Sequence, residues 1–179
     1  MLEFRRITSA ESPYWRHFVE LYESAFPLDE RRTAEKQLSI VTGEPERFHS
    51  FAIVEDDAMV GLFSYWDFGN FAYGEHFAVD EQLRGRRIGE RAMTQFVETV
   101  GKPVVIEVEL PETEIARRRI GFYERIGYVL SNKPYMQPSY GVGQQPLPLA
   151  LMEYGGNVLD TDFDLVVRTI HREAYQVKK

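Results

Sequence analysis

The architecture of this chain is set by residues 71–100, FAYGEHFAVDEQLRGRRIGERAMTQFVETV, which join a strand pattern to a helix pattern. Residues 71–79 alternate with a period of two, which is typical of a strand. One face of that strand would carry Phe71, Tyr73, Glu75, Phe77 and Val79. Residues 88–100 instead repeat apolar side chains at helical spacing. We therefore predict a strand, a short loop and an amphipathic helix.

The loop of residues 83–89, LRGRRIG, has the features of an anion-binding site. The first backbone N–H groups of a helix have no partner within it, and the helix dipole adds partial positive charge there. Gly85 and Gly89 would let phosphate groups come close to the backbone. We therefore predict a pyrophosphate cradle, and the alternative is a solvated basic turn. No Gly-Lys-Ser/Thr follows the loop, and its glycines lack the dinucleotide-binding spacing, so neither a P-loop nor a Rossmann fingerprint is present.

The composition predicts one domain over residues 1–179. Hydrophobic residues make up 44% of the chain and aromatic residues 13%, which is enough to form a core.

The net charge of −7 argues against nonspecific nucleic-acid binding and is compatible with a cationic amine substrate. The absence of cysteine excludes disulfides and thiolate chemistry. The sequence shows no apolar signal region and no membrane span, so we expect a cytoplasmic protein.

The remaining periodicities predict strands around the central stretch and helices between them. A hairpin is expected from residues 48–54 and 59–66, and a strand parallel to the central one from residues 104–108. Helices are expected over residues 14–25, 29–40, 114–126 and 160–176, and a further strand over residues 147–151. The basic tail, residues 171–179, is expected to be a solvated helix end, with a homodimer contact as the alternative.

Two motifs make the chain similar to the GNAT N-acetyltransferase superfamily. The first is the acetyl-CoA-binding signature Gln/Arg-x-x-Gly-x-Gly/Ala, which is occupied in order by Arg84, Gly85, Arg86, Arg87, Ile88 and Gly89. Arg87 stands where the family pattern has its central glycine. The second is an aromatic–Tyr pair followed by a Gly–aromatic pair, here Phe122-Tyr123 and Gly127-Tyr128.

This resemblance implies an α/β (α+β) GNAT fold, with a mixed central sheet of about six to seven strands and flanking helices. It implies an acetyl-CoA-dependent N-acetyltransferase that transfers the acetyl group directly to a primary amine of a small molecule or peptide. A catalytically silent acyl-CoA-binding sensor or scaffold is the main alternative, and an anion-binding structural protein is the third. No His/Asp/Glu spacing suggests a metal, and no Gly-x-Ser-x-Gly suggests a hydrolase.

The resemblance also implies roles for individual residues. Phe77, Ala78 and Val79 at the end of the central strand would contact the cofactor together with the loop, and Tyr123 would protonate the departing thiolate. The acceptor pocket would be lined by Phe26, Asp29, Glu30, Tyr73, Glu107, Tyr135 and Tyr140. Residues 131–148, rich in Pro and Gly, would form a loop that closes over this pocket, with a flexible surface loop as the alternative.

Glu75 is the candidate general base, because it is the only carboxylate on the predicted face that carries Tyr73, Phe77 and Val79. Such surroundings would raise the pKa of its carboxyl group. The alternative is a paired structural carboxylate. Glu107 and Glu109 are the next candidates for the base. His76, which shares the opposite face with alanine and glycine, is expected to be packed in the core.

Overall fold

A mixed sheet forms the middle layer of this protein, which is described by a computed structural model over residues 2–83, 85–141 and 143–177. Within these ranges the sheet contains eight strands: β1 (Glu3–Ile7), β2 (Phe48–Glu55), β3 (Ala58–Asp67), β4 (Ala72–Val79), β5 (Val104–Glu109), β6 (Val129–Leu130), β7 (Tyr135–Gln137) and β8 (Leu147–Tyr154). The α-helices are α1 (Trp15–Ala25), α2 (Ala34–Gly43), α3 (Ile88–Val100), α4 (Glu114–Ile126), α5 (Val158–Thr161) and α6 (Phe163–Thr169). Two 3₁₀ turns, Leu28–Glu30 and Glu81–Leu83, and a π-helical turn, Ile170–Ala174, complete the elements.

The strand order is β1-β2-β3-β4-β5-β8-β6, and β7 pairs with the outer part of β8. β4 and β5 run parallel and are joined by α3, while the other neighbouring strands pair in antiparallel fashion. This arrangement confirms the predicted mixed sheet and the predicted parallel pair. The short strands β6 and β7 account for a sheet slightly larger than expected.

Each face of the sheet buries its own apolar layer. On one face, Phe18 and Tyr22 of α1 pack with Trp66 of β3, and all three side chains are almost fully buried. On the other face, Met93 and Phe96 of α3 pack against the sheet within the second cluster. Burial of these large side chains supplies the main stabilisation of the fold, because the hydrophobic effect scales with the apolar area removed from water.

A β-bulge interrupts the central strand at Glu75. Ser64 of β3 pairs with His76 of β4, and the next pair joins Tyr65 to Gly74, so Glu75 has no partner residue on β3. An extra residue of this kind bends its strand and shifts the alternation of side chains beyond it.

The predicted single face of the central strand is therefore wrong beyond Glu75. Tyr73 packs in the layer that contains α1, whereas Phe77 and Val79 pack in the layer that contains α3. His76 is buried on the α1 side, where its ring meets the edges of Tyr22 and Phe26. The burial of His76 agrees with the expectation that it packs in the core. Its side chain, however, lies on the same side of the sheet as Tyr73 and not on the opposite side.

Two predicted helices have different bounds in the structure. The helix expected over residues 29–40 begins only at Ala34, because the Thr33 side chain caps it by accepting a hydrogen bond from the Lys36 N–H. The C-terminal helix expected over residues 160–176 begins instead at Val158 and is interrupted at Asp162. Its start is fixed by the Glu153 carboxylate, which accepts hydrogen bonds from the first two N–H groups at 2.8 and 3.0 Å.

The Pro- and Gly-rich segment over residues 131–148 is also more ordered than predicted, since it contains β7. Tyr135 and Gln137 of this strand are buried, and they pair with Leu149 and Leu147 of β8. A three-residue strand gives too short a pattern for periodicity to reveal.

The close packing of β3 on β4 generates the first testable prediction. A Cβ atom at Gly61 would lie 2.6 Å from the Ala78 carbonyl oxygen, which is backbone and cannot rotate away. Gly61→Ala should therefore lower the free energy of unfolding by about 1–3 kcal/mol, measured by urea denaturation. Gly43→Ala is the matched control, because nothing lies within 4 Å of its added methyl group. Equal stability of the two variants would contradict this account of the strand contact.

Candidate active site

A cavity of about 530 Å³ opens where β4 and β5 separate. The two strands pair only over three residues, ending at Gly74 and Ile106. Beyond that point β4 continues alongside β3, and β5 continues alongside β8. Backbone groups on the inner edges of the gap are therefore free of strand partners and available to an extended ligand chain.

One half of the cavity is bounded by the end of β4 and by α3 and α4. Phe77, Ala78 and Val79 line it, as expected for residues beside a cofactor, together with Met93 and Phe122. These side chains make this half of the cavity largely apolar. The placement agrees with the predicted cofactor contacts, whose role remains a prediction.

The predicted pyrophosphate cradle lies at the start of α3. Gly85, Arg86 and Arg87 are exposed, Ile88 is buried and Gly89 is partly buried. The side chain of the N-cap residue, Arg87, does not cap the first turn of α3, so the N–H groups there are directed outward without that partner. Gly85 adopts a φ of +86°, and nothing would contact a Cβ atom there, which leaves space over the backbone. Arg84 lies outside the described residues.

Arg87 shows why the family pattern has a glycine at its position. Its backbone is left-handed, with a φ of 56° and a ψ of 23°, which glycine adopts without strain. An L-residue is allowed in this region at a cost of about 1–2 kcal/mol. The conformation of the loop is thus kept, and the Arg87 side chain adds a cation beside the exposed N–H groups. Arg86 lies 3.3 Å from the Glu55 carboxylate.

Tyr123 stands on the cavity wall and belongs to α4. Its ring packs edge-on against Phe122 and Tyr128. Burial raises the pKa of Tyr123 to about 12, with Arg119 opposing the shift. The hydroxyl group therefore keeps its proton at neutral pH and can donate it.

The other half of the cavity is polar, and Glu75 is its most tightly held carboxylate. The Arg32 guanidinium binds Glu75 in a bidentate ion pair, with N–O distances of 2.8 and 2.7 Å. The Tyr140 hydroxyl donates to the same carboxylate at 3.3 Å. The Glu75 side chain is fully buried and the Arg32 side chain nearly so, which makes this an interior ion pair.

The expected rise in the pKa of Glu75 is wrong. Burial acts to raise that pKa, but the Arg32 charge, together with His76 and the hydrogen bonds from Arg32, outweighs it and lowers the pKa to about 2. A carboxylate with so low a pKa is a weak base at neutral pH. The environment of Glu75 therefore matches the alternative, a paired structural carboxylate.

Glu107 on β5 has the opposite environment. Burial raises its pKa to about 7, although hydrogen bonds from tyrosine hydroxyl groups act against the rise. Tyr175 donates to Oε2 of Glu107 at 2.7 Å, and Tyr135 donates to Oε1. No cation is paired with Glu107 among the residues that the structure describes. A buried carboxylate that titrates near neutrality is suited to accept a proton.

The predicted acceptor-lining residues divide into two groups. Phe26, Glu30, Glu107 and Tyr140 line the cavity. Asp29, Tyr73 and Tyr135 do not: Tyr73 and Tyr135 lie behind Glu107, and the Asp29 carboxylate accepts a hydrogen bond from the Gln145 N–H instead. Glu109 and Arg119 line the cavity as an ion pair at 2.9 Å.

Sequence reasoning did not identify two residues of this site. Arg32 falls in the helix predicted over residues 29–40, and Tyr175 falls in the tail expected to be solvated. In the structure Arg32 is 5% and Tyr175 8% exposed, and both bind the carboxylates of this site. The sequence signal for Tyr175 is an aromatic residue inside a mostly polar tail.

The mixed sheet with its flanking helices is the GNAT fold, and the solved structures similar to this one are GNAT acetyltransferases. The family model described as Acetyltransferase (GNAT) family matches residues 11–128. This chain therefore belongs to the GNAT acetyltransferase family. No curated protein sequence matches it.

Three solved structures illustrate the similarity. A GNAT-family protein from Bacteroides thetaiotaomicron, classed as an acetyltransferase, is 36% identical with a TM-score of 0.93, covering 98% of this chain and 99% of its own. NAA60 from Arabidopsis thaliana, in complex with acetyl-CoA, is 17% identical with a TM-score of 0.64, covering 86% and 98%. A spermidine N-acetyltransferase chimera of Vibrio cholerae SpeG and hSSAT is 12% identical with a TM-score of 0.63, covering 86% and 94%. The last two show the fold alone.

Two further observations concern metals and membranes. The described residues contain no group of three or more His, Cys, Asp or Glu side chains that could hold a metal ion. None of the helices in the described part of the chain combines the length and apolar character needed to cross a membrane.

The buried ion pair generates the second prediction. Arg32→Met would leave the Glu75 carboxylate buried without its cation, so it should lower the free energy of unfolding by about 3–5 kcal/mol. Adding Glu75→Gln removes the unpaired charge and should recover much of that loss. Urea denaturation of the single and double variants measures both effects.

Arg118→Met is the control for this experiment, because Arg118 and Glu114 form an exposed ion pair on α4. Exposed pairs contribute about 0–1 kcal/mol, so this change should have little effect. If Arg32→Met and Arg118→Met lowered the free energy of unfolding equally little, the stability of the fold would not depend on the pairing of Glu75 with Arg32.

Proposed function

We propose that this protein is an acetyl-CoA-dependent N-acetyltransferase that transfers the acetyl group directly to a primary amine of a small molecule or peptide. The observation that carries the proposal is the joint presence of Tyr123 and Glu107 on the wall of one cavity. One holds a proton at neutral pH, and the other is poised to accept one. Acetyl transfer to an amine needs both groups.

The residues present fit coenzyme A as the donor. The N–H groups at the start of α3, with Gly85, Arg86, Arg87 and Gly89, would hold the diphosphate, and the predicted cradle also includes Arg84. The unpaired edge of β4 at residues 77–79 would bind the extended pantetheine arm by strand-like hydrogen bonds. Support comes from the open space over Gly85 and from the cavity between the strands.

Bound acetyl-CoA supplies a thioester carbonyl as the electrophile and a thiolate as the leaving group. Glu107 takes a proton from the ammonium form of the amine and later releases it to solvent, so that the lone pair is free to attack. The nitrogen loses its second proton as the amide forms, and that proton replaces the one that Tyr123 gives to the sulfur. Tyr123 holds at its hydroxyl oxygen the proton that the departing sulfur requires. Phe77, Met93 and Phe122 exclude water from this half of the cavity, which protects the thioester from hydrolysis.

The charges of the acceptor half favour a cationic amine. Glu30, Glu75, Glu107 and Glu109 line it, and the cations paired with them are Arg32 and Arg119. Burial and the nearby charge of Glu109 raise the pKa of Glu30, so an incoming ammonium group would relieve their repulsion. Among the fold relatives, one is a spermidine N-acetyltransferase and another, Naa50, is bound to a bisubstrate analogue with a peptide portion. Small amines and peptide N-termini are thus both candidate acceptors.

The third prediction tests the enzyme against the silent sensor. Free-thiol release from acetyl-CoA, measured across a panel of diamines, polyamines and peptide N-termini, should identify an acceptor. Tyr123→Phe should then lower kcat by about 10²-fold or more, because the general acid is lost. Its affinity for acetyl-CoA, measured by calorimetry, should be unchanged. Tyr154→Phe is the control, since Tyr154 packs on Tyr128 away from the cavity lining.

Thiol release from no amine in the panel, together with measurable acetyl-CoA binding, would favour the sensor. Equal binding of acetyl-CoA, ATP and sulfate would instead favour an anion-binding structural protein.

The fourth prediction concerns pH. Because Glu107 must be ionised to accept a proton, kcat/KM should fall about tenfold per pH unit below the pKa of Glu107, which is about 7. Glu107→Gln should remove this step of the profile and lower kcat by about 10²–10⁴-fold. Glu109→Gln, the matched change on the same strand, should mainly raise KM, because it removes charge from the cavity and no base. A pH profile shared by the wild type and Glu107→Gln would exclude Glu107 as the base.

A further inference from the structure

We infer that Tyr175, supplied by the C-terminal turn, is a positioning residue that orients the Glu107 carboxylate for proton transfer. The inference rests on the proposed function, because it assigns Glu107 as the base. It concerns a part of the chain that lies after the residues matched by the family, 11–128.

The backbone of the C-terminal turn places Tyr175 in the interior. The Tyr175 N–H donates to the Ile170 carbonyl at 3.3 Å, five residues back, which is the hydrogen bond of a π-helical turn. In an α-helix, residues five apart lie about 140° from each other around the axis. The wider turn instead brings Tyr175 back over the buried side of Ile170, and both side chains are buried. π-helical turns of this kind recur at functional sites.

The hydroxyl group of Tyr175 stands in a directed chain of hydrogen bonds. It donates to Oε2 of Glu107 at 2.7 Å and lies 3.1 Å from the Tyr73 hydroxyl. A tyrosine carries one hydroxyl proton, so with Glu107 ionised Tyr73 is the donor to Tyr175. Tyr135 donates to the other oxygen of the same carboxylate. Both oxygens are therefore held, and the carboxylate cannot rotate freely.

A second contact anchors the same turn to the ion pair. The Ala174 carbonyl accepts a hydrogen bond from Nη2 of Arg32 at 2.5 Å, and Arg32 binds Glu75. The Tyr140 ring lies over the Arg32 guanidinium and 4.6 Å from the Tyr175 ring. The C-terminal turn is thus bound to Arg32, the partner of Glu75, while its Tyr175 binds Glu107.

The titratable groups that face Glu107 come from β4, β7, the loop before β8 and the C-terminal turn, while its partner on β8 is the apolar Leu151. They are Tyr73 and Glu75 on β4, Tyr135 on β7, Tyr140 in the loop before β8, and Tyr175 on the C-terminal turn. Glu75 opposes ionisation of Glu107, while the hydroxyl groups of Tyr135 and Tyr175 stabilise the carboxylate. Loss of one hydroxyl donor should therefore make Glu107 harder to ionise.

The fifth prediction uses Tyr175→Phe, which removes the hydroxyl group and keeps the ring. The titration of the Glu107 side chain should move up by about one pH unit, followed by carbon-13 NMR of side-chain carboxyl groups. The Glu107 signal is identified by its absence in Glu107→Gln. In turnover, the loss in kcat/KM should be about tenfold larger at pH 6 than at pH 9, where Glu107 is ionised in both proteins and only the loss of orientation remains. Tyr154→Phe should change neither measurement.

The outcomes separate the two claims. If the wild type turns over amines but Tyr175→Phe leaves both the Glu107 titration and the rate unchanged, the positioning role is wrong and the proposed function stands. If no amine is acetylated while the titration still moves, Tyr175 does hold Glu107 and the proposed function fails. Tyr135→Phe provides a second variant, because it removes the other donor and should shift the titration in the same direction.

Discussion

The bulge at Glu75 is the constraint on which the site depends. One extra residue bends β4 where its pairing with β5 ends, so the sheet opens instead of continuing as a closed parallel pair. The same residue shift turns Phe77 and Val79 toward α3 and leaves Tyr73 facing α1. β4 therefore contributes side chains to both the apolar wall and the polar wall of the cavity. Without the extra residue, the period-two alternation would place all three side chains in one layer.

The two buried carboxylates of the cavity show how environment separates chemical roles. Glu75 has a guanidinium partner and is kept ionised, whereas Glu107 has hydroxyl partners and titrates near neutrality. Hydroxyl groups are weaker partners for an anion than a cation is, so burial dominates at Glu107 and the cation dominates at Glu75. Neighbouring carboxylates with opposed pKa shifts are the pattern from which acid and base assignments follow.

The sequence predicted the parts of this molecule that depend on local pattern. Residues 71–100 were correctly divided into strand, loop and helix. The bulge was not predicted, because an extra residue does not change the alternating pattern of side chains that is read from the sequence. It is recognised only from the pairing of β4 with β3. The expected rise in the pKa of Glu75 was wrong for a similar reason, since that pKa depends on an arginine 43 residues away along the chain.

Contacts between distant segments account for the other misses. Tyr175 is 68 residues from Glu107, and its burial depends on a π-helical turn, which no periodicity in the sequence predicts. The helix expected over residues 160–176 was misplaced because its cap is the Glu153 side chain of the preceding strand. Interactions of this kind are set by tertiary packing, which overrides local propensity.

The site is divided between the region matched by the family and the region after it. The proposed donor half is built from β4, α3 and α4, which lie within residues 11–128. Tyr135, Tyr140 and Tyr175, which hold the two carboxylates of the acceptor half, all lie after that region. A donor shared across a family needs an invariant cradle, whereas each acceptor needs a pocket of its own shape and charge. Since β7 and the C-terminal turn supply the partners of Glu107, we propose that this later part of the chain joins recognition of the acceptor to activation of the base.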